Sequence, residues 1–144
     1  GRIILAGNTH SSNNTYFALA RLLPDGNFDL SMGPDGQRQL DPGLGRDSCL
    51  VAVLYGSNRI LMGGCSATSG TDFYKNFLVR TDLDGNIDAT FGINGKLEIN
   101  LPTTREMVTK MIVLSNEKIL IAGNALKGGQ TLWDSDSTWA FVAG

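Results

Sequence analysis

The sequence predicts an all-β fold assembled from a repeated unit, and three observations carry that prediction. The first is a string of one basic residue, three apolar residues, a small residue and a glycine. It occurs as Arg2-Ile3-Ile4-Leu5-Ala6-Gly7, as Arg59-Ile60-Leu61-Met62-Gly63-Gly64 and as Lys118-Ile119-Leu120-Ile121-Ala122-Gly123, so the starts lie 57 and 59 residues apart. A period of that size marks solenoids, propellers and blade arrays. The second is a constant register between copies. Arg21 falls on Arg80, Asp25-Gly26-Asn27 on Asp84-Gly85-Asn86, Asp29 on Asp88, Met32-Gly33 on Phe91-Gly92, Gly36 on Gly95 and Arg46 on Arg105, all 59 apart. The third is that the apolar runs are short and bounded by Gly, Asn, Asp and Pro, which is the punctuation of strands and turns.

Taken in order, residues 2–7 form a nearly continuous apolar run, as expected of a strand covered on both faces. Residues 8–15 read as a polar loop and 16–22 as a second strand. Pro24-Asp25-Gly26 then supplies the positive φ of a tight turn, and Phe28 to Met32 reads as a returning strand. The second copy resolves into four strands: A at about 49–55, B at 59–65, C at 74–81 and D at 86–91. Gly56-Ser57-Asn58 joins A to B, and Leu83-Asp84-Gly85 joins C to D. The clearest strands are thus predicted near 2–7, 16–22, 50–55, 59–64, 76–82, 111–114 and 118–123, in antiparallel meander order.

A four-stranded meander of about 59 residues has the size of a propeller blade, and stacking blades would bury the faces of A and B. The chain then divides into a partial blade 1 (1–48), a blade 2 (49–107) and a partial blade 3 (108–144), about two and a half repeats. The third copy departs from the pattern, because its loop after Gly123 is longer and Trp139-Ala140-Phe141-Val142 echoes strand C only loosely. Closure of a propeller usually needs four or more blades. The expectation is that a longer chain supplies the remaining blades, and that these residues alone aggregate or stay partly unfolded. A start at Gly1 without Met agrees with a processed or truncated chain.

Composition limits the partners. The chain has 144 residues and a formal net charge of −2, which offers no basic footprint for nucleic acid or an anionic membrane. No apolar run approaches the ~18 residues of a membrane-spanning helix. Its 18 glycines exceed the usual ~7% share, and the turns absorb most of the excess.

In a meander the A-to-B and C-to-D turns share one end of the array, and the B-to-C and D-to-A loops share the other. The first end is short and repetitive. The second carries the unlike segments 8–15, 34–48, 65–74, 93–107 and 124–138, and variable loops on a rigid scaffold are where ligands bind. Arg46 and Arg105 recur at the period and suggest a structural role between blades. The non-repeating His10, Asp72, Tyr74, Trp133 and Asp134 are the candidate ligand-face residues, weighed against the plainer reading that they are solvated loop side chains.

No complete constellation for catalysis, cofactor or metal is present, and none is expected to bind. His10 is the sole histidine, no serine sits in a Gly-x-Ser-x-Gly elbow, and Gly63-Gly64 opens no helix that could cradle phosphate. Asp82-Leu83-Asp84-Gly85-Asn86-Ile87-Asp88 resembles a calcium loop, but its glycine is misplaced for an EF-hand and Leu23 replaces Asp82 in the first copy. An acidic hairpin turn fits better. Asn13-Asn14-Thr15 is a glycosylation sequon, meaningful only in a secreting eukaryote.

Cys49 and Cys65 flank one predicted hairpin. A two-residue turn places them on opposite faces, while a three-residue turn sets them opposite each other within bridging distance. A disulfide and two buried thiols both remain open, and a bridge would indicate an oxidising compartment.

The patterns RILMGG followed by FLVRTDLDGNIDATFGINGK, and RIILAG followed by FALARLLPDGNFDLSMGPDGQ, resemble the delta-60 repeat. The resemblance covers essentially the whole chain. It implies a propeller-forming repeat of secreted or surface proteins of bacteria, and it brings no catalytic motif. The functional expectation is a non-catalytic scaffold or binding module of a larger extracellular or cell-surface protein, with a protein or glycan partner. The alternative is a propeller enzyme of lyase, lactonase or quinone-dependent type, its site at the mouth of the central channel. Such an enzyme would need His, Arg, Glu or metal ligands clustered where the loops converge. Arg46-Asp47 and Arg105-Glu106 lie there, without histidine, so the binding module is preferred.

Overall fold

The computed structural model describes residues 1–43, 45–68, 74–100, 105–126 and 139–143. These hold β1 (Ile3–Ser11), β2 (Asn14–Leu22), β3 (Gln37–Leu40), β4 (Gly45–Tyr55), β5 (Arg59–Thr68), β6 (Tyr74–Asp82), β7 (Lys96–Ile99), β8 (Arg105–Val113), β9 (Ile119–Leu126) and β10 (Trp139–Ala143). The protein is all-β, built of propeller-type blades. β4, β5, β6 and β7 form one four-stranded antiparallel blade. β1, β2 and β3 repeat its last three strands, and β8, β9 and β10 its first three.

Successive blades touch through single parallel bridges, Thr15 with Arg46 and Tyr74 with Arg105. One edge of β2 is therefore shared. Phe17 to Ala20 pair with β3, leaving only Thr15 to meet β4. Arg46 is exposed, so the periodic link predicted for it runs through its backbone.

Two apolar clusters fill the spaces between blades. Phe17, Leu19, Met32, Leu40, Cys49, Ile60, Met62 and Val79 form the first. Tyr55, Leu61, Leu78, Val108, Met111 and Ile121 form the second. Alternation along β5 sends Ile60 and Met62 to one cluster and Leu61 to the other, because successive side chains point to opposite faces. β5 is thus buried on both faces. β1 is not: Ile3 and Leu5 are each 48% exposed, since among the described residues no strand lies on its outer edge.

Three expectations need correction. First, residues 8–15 are not a loop. β1 runs to Ser11 and β2 starts at Asn14, joined by a two-residue turn at Ser12-Asn13. The ladder continues past the apolar run because it pairs backbone groups, which are indifferent to side-chain polarity.

Second, residues 28–32 and 86–91 are not the returning strands. Phe28 and Ile87 make isolated bridges to Leu22 and Thr81, and the fourth strands are β3 and β7 further on. Asp29 accepts from the Ser31 amide and hydroxyl at 3.1 and 2.6 Å, starting a 3-10 turn at Leu30–Met32. Asp88 accepts from the same two groups of Thr90. Such local side-chain bonds compete with strand formation. Gly36 and Gly95, at φ of 66° and 83°, then turn the chain back.

Third, the A-to-B turn has three residues, since Tyr55 faces Arg59, yet Cys49 faces Gly64 and Cys65 faces Ser48. A bulge at Leu50 removes one residue from the register. The cysteines consequently point to opposite faces of the sheet. Both are buried and neither is in a disulfide. Burial pushes the Cys49 thiol up to about 12. Without reductant, Ellman's reagent should titrate two thiols after denaturation and none over minutes in the native state. A count of zero after denaturation would establish a bridge instead.

The same bulge recurs in β8, between Val108 and Lys110. A bulge strands a backbone N–H, and the preceding blade answers it. Asn8 Oδ1 accepts from the Cys49 N–H at 2.6 Å, and Asn76 Oδ1 from the Val108 N–H at 2.9 Å. Asn8 is on β1, whereas Asn76 is on β6, the counterpart of β2. Asn8 and Phe17 are cross-strand partners, as are Cys65 and Asn76, so the amide has changed strands while keeping its task.

Candidate functional site

The two ends of the blades differ in kind. At the turn end, charges are used internally. Arg21 is 2% exposed, and its Nε donates to Asp29 Oδ2 at 2.9 Å. Its Nη1 reaches into the next blade, to the Leu83 carbonyl and Asp84 Oδ1, both at 2.6 Å, and its Nη2 donates to Ser31 Oγ at 2.8 Å. Arg2 also pairs with Asp29, at 2.7 Å. Burial works against the Arg21 charge, but the hydrogen bond to Asp84 and the carboxylate of Asp29 outweigh it and raise its pKa above the usual value.

The second copy repeats the arrangement. Asp88 Oδ2 accepts from Arg59 at 2.6 Å and from Arg80 at 2.9 Å, and Arg80 Nη2 donates to Thr90. The Thr90 hydroxyl first, then the two guanidinium groups, hold Asp88 down to about 2. Arg80 also lies over the rings of Tyr55 and Phe91, 4.9 and 4.7 Å from their centroids. Asp82 accepts from the amides of Asp84 and Asn86 and from Asn86 Nδ2. The acidic turn is therefore occupied by its own backbone and by Arg21. Among the described residues no group of three His, Cys, Asp or Glu side chains is placed to hold a metal ion.

The other end carries a buried acid. Asp47 on β4 is 0% exposed; its Oδ1 takes a short hydrogen bond from the Ser66 hydroxyl, and its amide donates to Thr15 Oγ1 at 2.9 Å. Oδ2 has no hydrogen-bond partner among the described residues. Burial, reinforced by the charge of Asp41 and opposed by Ser66 and by Lys96, pushes Asp47 up to about 6.

The folded state thus holds a proton that the unfolded state, near 3.8, releases. Stability from this group is greatest below about pH 4, declines as the pH rises to about 6, and its loss is complete above that. Between pH 4 and 7 the native protein should lose up to about 3 kcal/mol from this source. An Asp47→Asn variant should lack that slope in urea unfolding, and an unchanged slope would refute the assignment. Asp47 was legible only as half of the periodic pairs Arg46-Asp47 and Arg105-Glu106. Its burial was not.

Of the predicted ligand-face residues, the two that are described, His10 and Tyr74, do not converge. His10 is exposed on β1, opposite Thr15. Tyr74 is half-buried at the start of β6, opposite Ala67 and bridged to Arg105. Both lie at the loop end, but β2, β4 and β5 separate their strands in the sheet. Asp72, Trp133 and Asp134 lie outside the described residues. The ionic links missed at the turn end had a signal in the 59-residue recurrence of Arg21 and Asp29 as Arg80 and Asp88. What hid them was that Arg21 and Asp84 are 63 residues apart in sequence.

A family model described as a β-propeller domain of unknown function, DUF5122, matches residues 1–31. That segment holds β1, β2 and the Asp25-Gly26 turn. No curated protein matches the chain, and no solved structure does.

Proposed function

We propose that this chain is a non-catalytic binding module of a larger extracellular or cell-surface bacterial protein, and that it engages a protein or glycan through the loop end of its blades. The observation that carries this reading is the contrast between the ends. At the turn end the two copies repeat the same arginine–aspartate pairs and the same Asp-Gly turns. Residues that recur and pair with one another are committed to the scaffold. At the loop end Arg46 and Arg105 recur, but other residues diverge between copies: Tyr74 takes the place of Thr15, and Ala67 that of His10. Freedom to vary on a rigid frame is what a recognition surface requires. The delta-60 resemblance supports the bacterial surface setting, and the propeller model over residues 1–31 supports the propeller fold.

The test is a binding survey of soluble polysaccharides and extracellular proteins by interferometry, using the folded chain. At least one ligand should bind and should weaken about tenfold or more with Tyr74→Ala or His10→Ala, a loss typical of an interface anchor. The turn-end variant Asp25→Asn should leave it unchanged. Loss of binding with Asp25→Asn alone would move the site to the other end. Turnover of a lactone or polyuronate by the purified chain would replace the reading with the enzymatic one.

A further inference from the structure

An open cleft of about 230 Å³ lies at the turn end of the second blade, between the turn that joins β4 to β5 and the turn that follows β6. Asn58, Arg59, Asp82, Asn86, Ile87 and Asp88 line it. All of them belong to the blade of β4, β5, β6 and β7, so a single unit forms the walls. The hydrogen-bonding capacity of those walls is unevenly used. An ionised carboxylate offers about four lone pairs, and a guanidinium about five N–H groups. Asp88 is saturated by the Thr90 amide and hydroxyl and by Arg59 and Arg80. Asp82 accepts from the amides of Asp84 and Asn86 on Oδ1 and from Asn86 Nδ2 on Oδ2, which leaves one lone pair on Oδ2. Arg59 donates from Nε to Asp88 and from Nη1 to Asn58 Oδ1 at 3.3 Å, and its side chain is 40% exposed. Among the described residues neither Arg59 Nη2 nor Asn58 Nδ2 has a partner. Free donors, one free acceptor and the exposed side chain of Ile87 therefore meet in one cleft.

The blade does not require this set. In the first copy Leu23 stands where Asp82 does, yet its amide and carbonyl bond Asn27 and Gly26 as those of Asp82 bond Asn86 and Gly85. Asp25 there holds the amide and side chain of Asn27, the work that Asp82 does for Asn86. In the third copy Glu117 and Lys118 replace Asn58 and Arg59. The cleft thus owes its character to residues that do not recur, unlike the arginine–aspartate pairs beside it.

We infer that this cleft binds the terminal neutral hexose of a glycan. A hydroxyl both donates and accepts, so one sugar hydroxyl gives its proton to Asp82 Oδ2 while its neighbour takes one from Arg59 Nη2 or Asn58 Nδ2. The C–H face of the ring lies on Ile87. A cleft smaller than the ~300–1,000 Å³ of drug-sized pockets holds one ring and not an extended chain. Other ligand classes fit worse. An anion would satisfy the donors but would meet the Asp82 carboxylate, and a divalent cation that needs about six oxygens would find one lone pair. The site lies at the opposite end of the blade from Tyr74 and stands independently of the loop-end reading.

The probes are the methyl glycosides of glucose, galactose and mannose, each titrated into the full chain and read by saturation-transfer NMR. At least one should bind with a dissociation constant of about 1 mM, as suits a ligand of about a dozen heavy atoms. Asn58→Ala should weaken it about fivefold, for one hydrogen bond, and Asp82→Leu at least about tenfold, for a bond to a charged group. Circular dichroism should not change in Asp82→Leu, because the first copy keeps the same turn with Leu23. Tyr74→Ala should leave glycoside binding intact, which separates this site from the one at the loop end. No transfer to any of the three glycosides would overturn the inference. So would transfer that survives both Asn58→Ala and Asp82→Leu. Displacement of the glycoside by inorganic phosphate would mark an anion site instead, and calorimetric binding of calcium that Asp82→Leu removes would mark a cation site; either result would also overturn it.

Discussion

An Arg21→Met variant is expected to lose about 3–5 kcal/mol of stability, the range for removing one partner of a buried ion pair. Methionine keeps the apolar stem and deletes the guanidinium, so the loss reports the charge and not the packing. Four acceptors lose a donor together: Asp29, Ser31, Asp84 and the Leu83 carbonyl. Asp29 is 5% exposed and, of its two guanidinium partners, would keep only Arg2, whose own side chain is 58% exposed. The break also uncouples two blades, because Leu83 and Asp84 belong to the turn after β6 while Arg21 lies on β2. Urea unfolding at neutral pH measures it. The equivalent Arg80→Met should cost less, since Arg80 is 12% exposed and its acceptors Asp88 and Thr90 lie in its own blade. A loss below about 1 kcal/mol for Arg21→Met, the value of a surface pair, would refute the account.

Gly64→Ala is expected to be nearly as damaging, at about 3 kcal/mol or more, the upper end of the cost of overpacking. The added methyl meets the Ser48 carbonyl and lies 2.9 Å from the Phe17 ring. Neither can retreat: the first is backbone in the bulged strand β4, and the second is fully buried between blades. A fall of about 10 °C in Tm corresponds to that loss for a domain of this size. Gly7→Ala is the control, because the same position of the repeat motif is open there. It should be neutral or stabilise by about 0.5 kcal/mol through the unfolded chain. Equal effects at the two glycines would show that the bulged strand is not what demands Gly64.

These two substitutions also mark the limits of what sequence patterns reveal. The glycine ending each apolar string is visible in the sequence as a recurrence at the close of a predicted strand. Gly64 in fact lies inside β5, and its reason is the carbonyl of a bulge on the neighbouring strand. A bulge leaves no local trace when its extra residue, Leu50 or Thr109, differs in character between copies. That single residue also decided the fate of the cysteines, because a one-residue shift moves a side chain to the other face of a sheet. The fourth strand was misplaced for a different reason. Asp29 and Asp88 sit in apolar runs of strand-like composition, but their carboxylates bind the amides two residues on and start a turn instead.

The candidate site was less legible than the fold. Tyr74 and His10 could be recognised as departures from the repeat, but not as residues kept apart by three strands. Asp47 could be recognised as periodic, but not as a buried carboxylate with one oxygen unpaired among the described residues.

By itself, then, the sequence determined the all-β class, the repeat and its register, and the positions of most strands, because each depends on local alternation, turn chemistry and recurrence. Only the tertiary structure decided which residues serve between blades. Arg21 with Asp84, Asn8 with Cys49, and Tyr55 with Glu117 stand 63, 41 and 62 residues apart, and no local pattern encodes such distances. They meet because a stacked blade has no core of its own. Its apolar faces, its stranded amides and its buried guanidinium are all completed by the neighbouring unit.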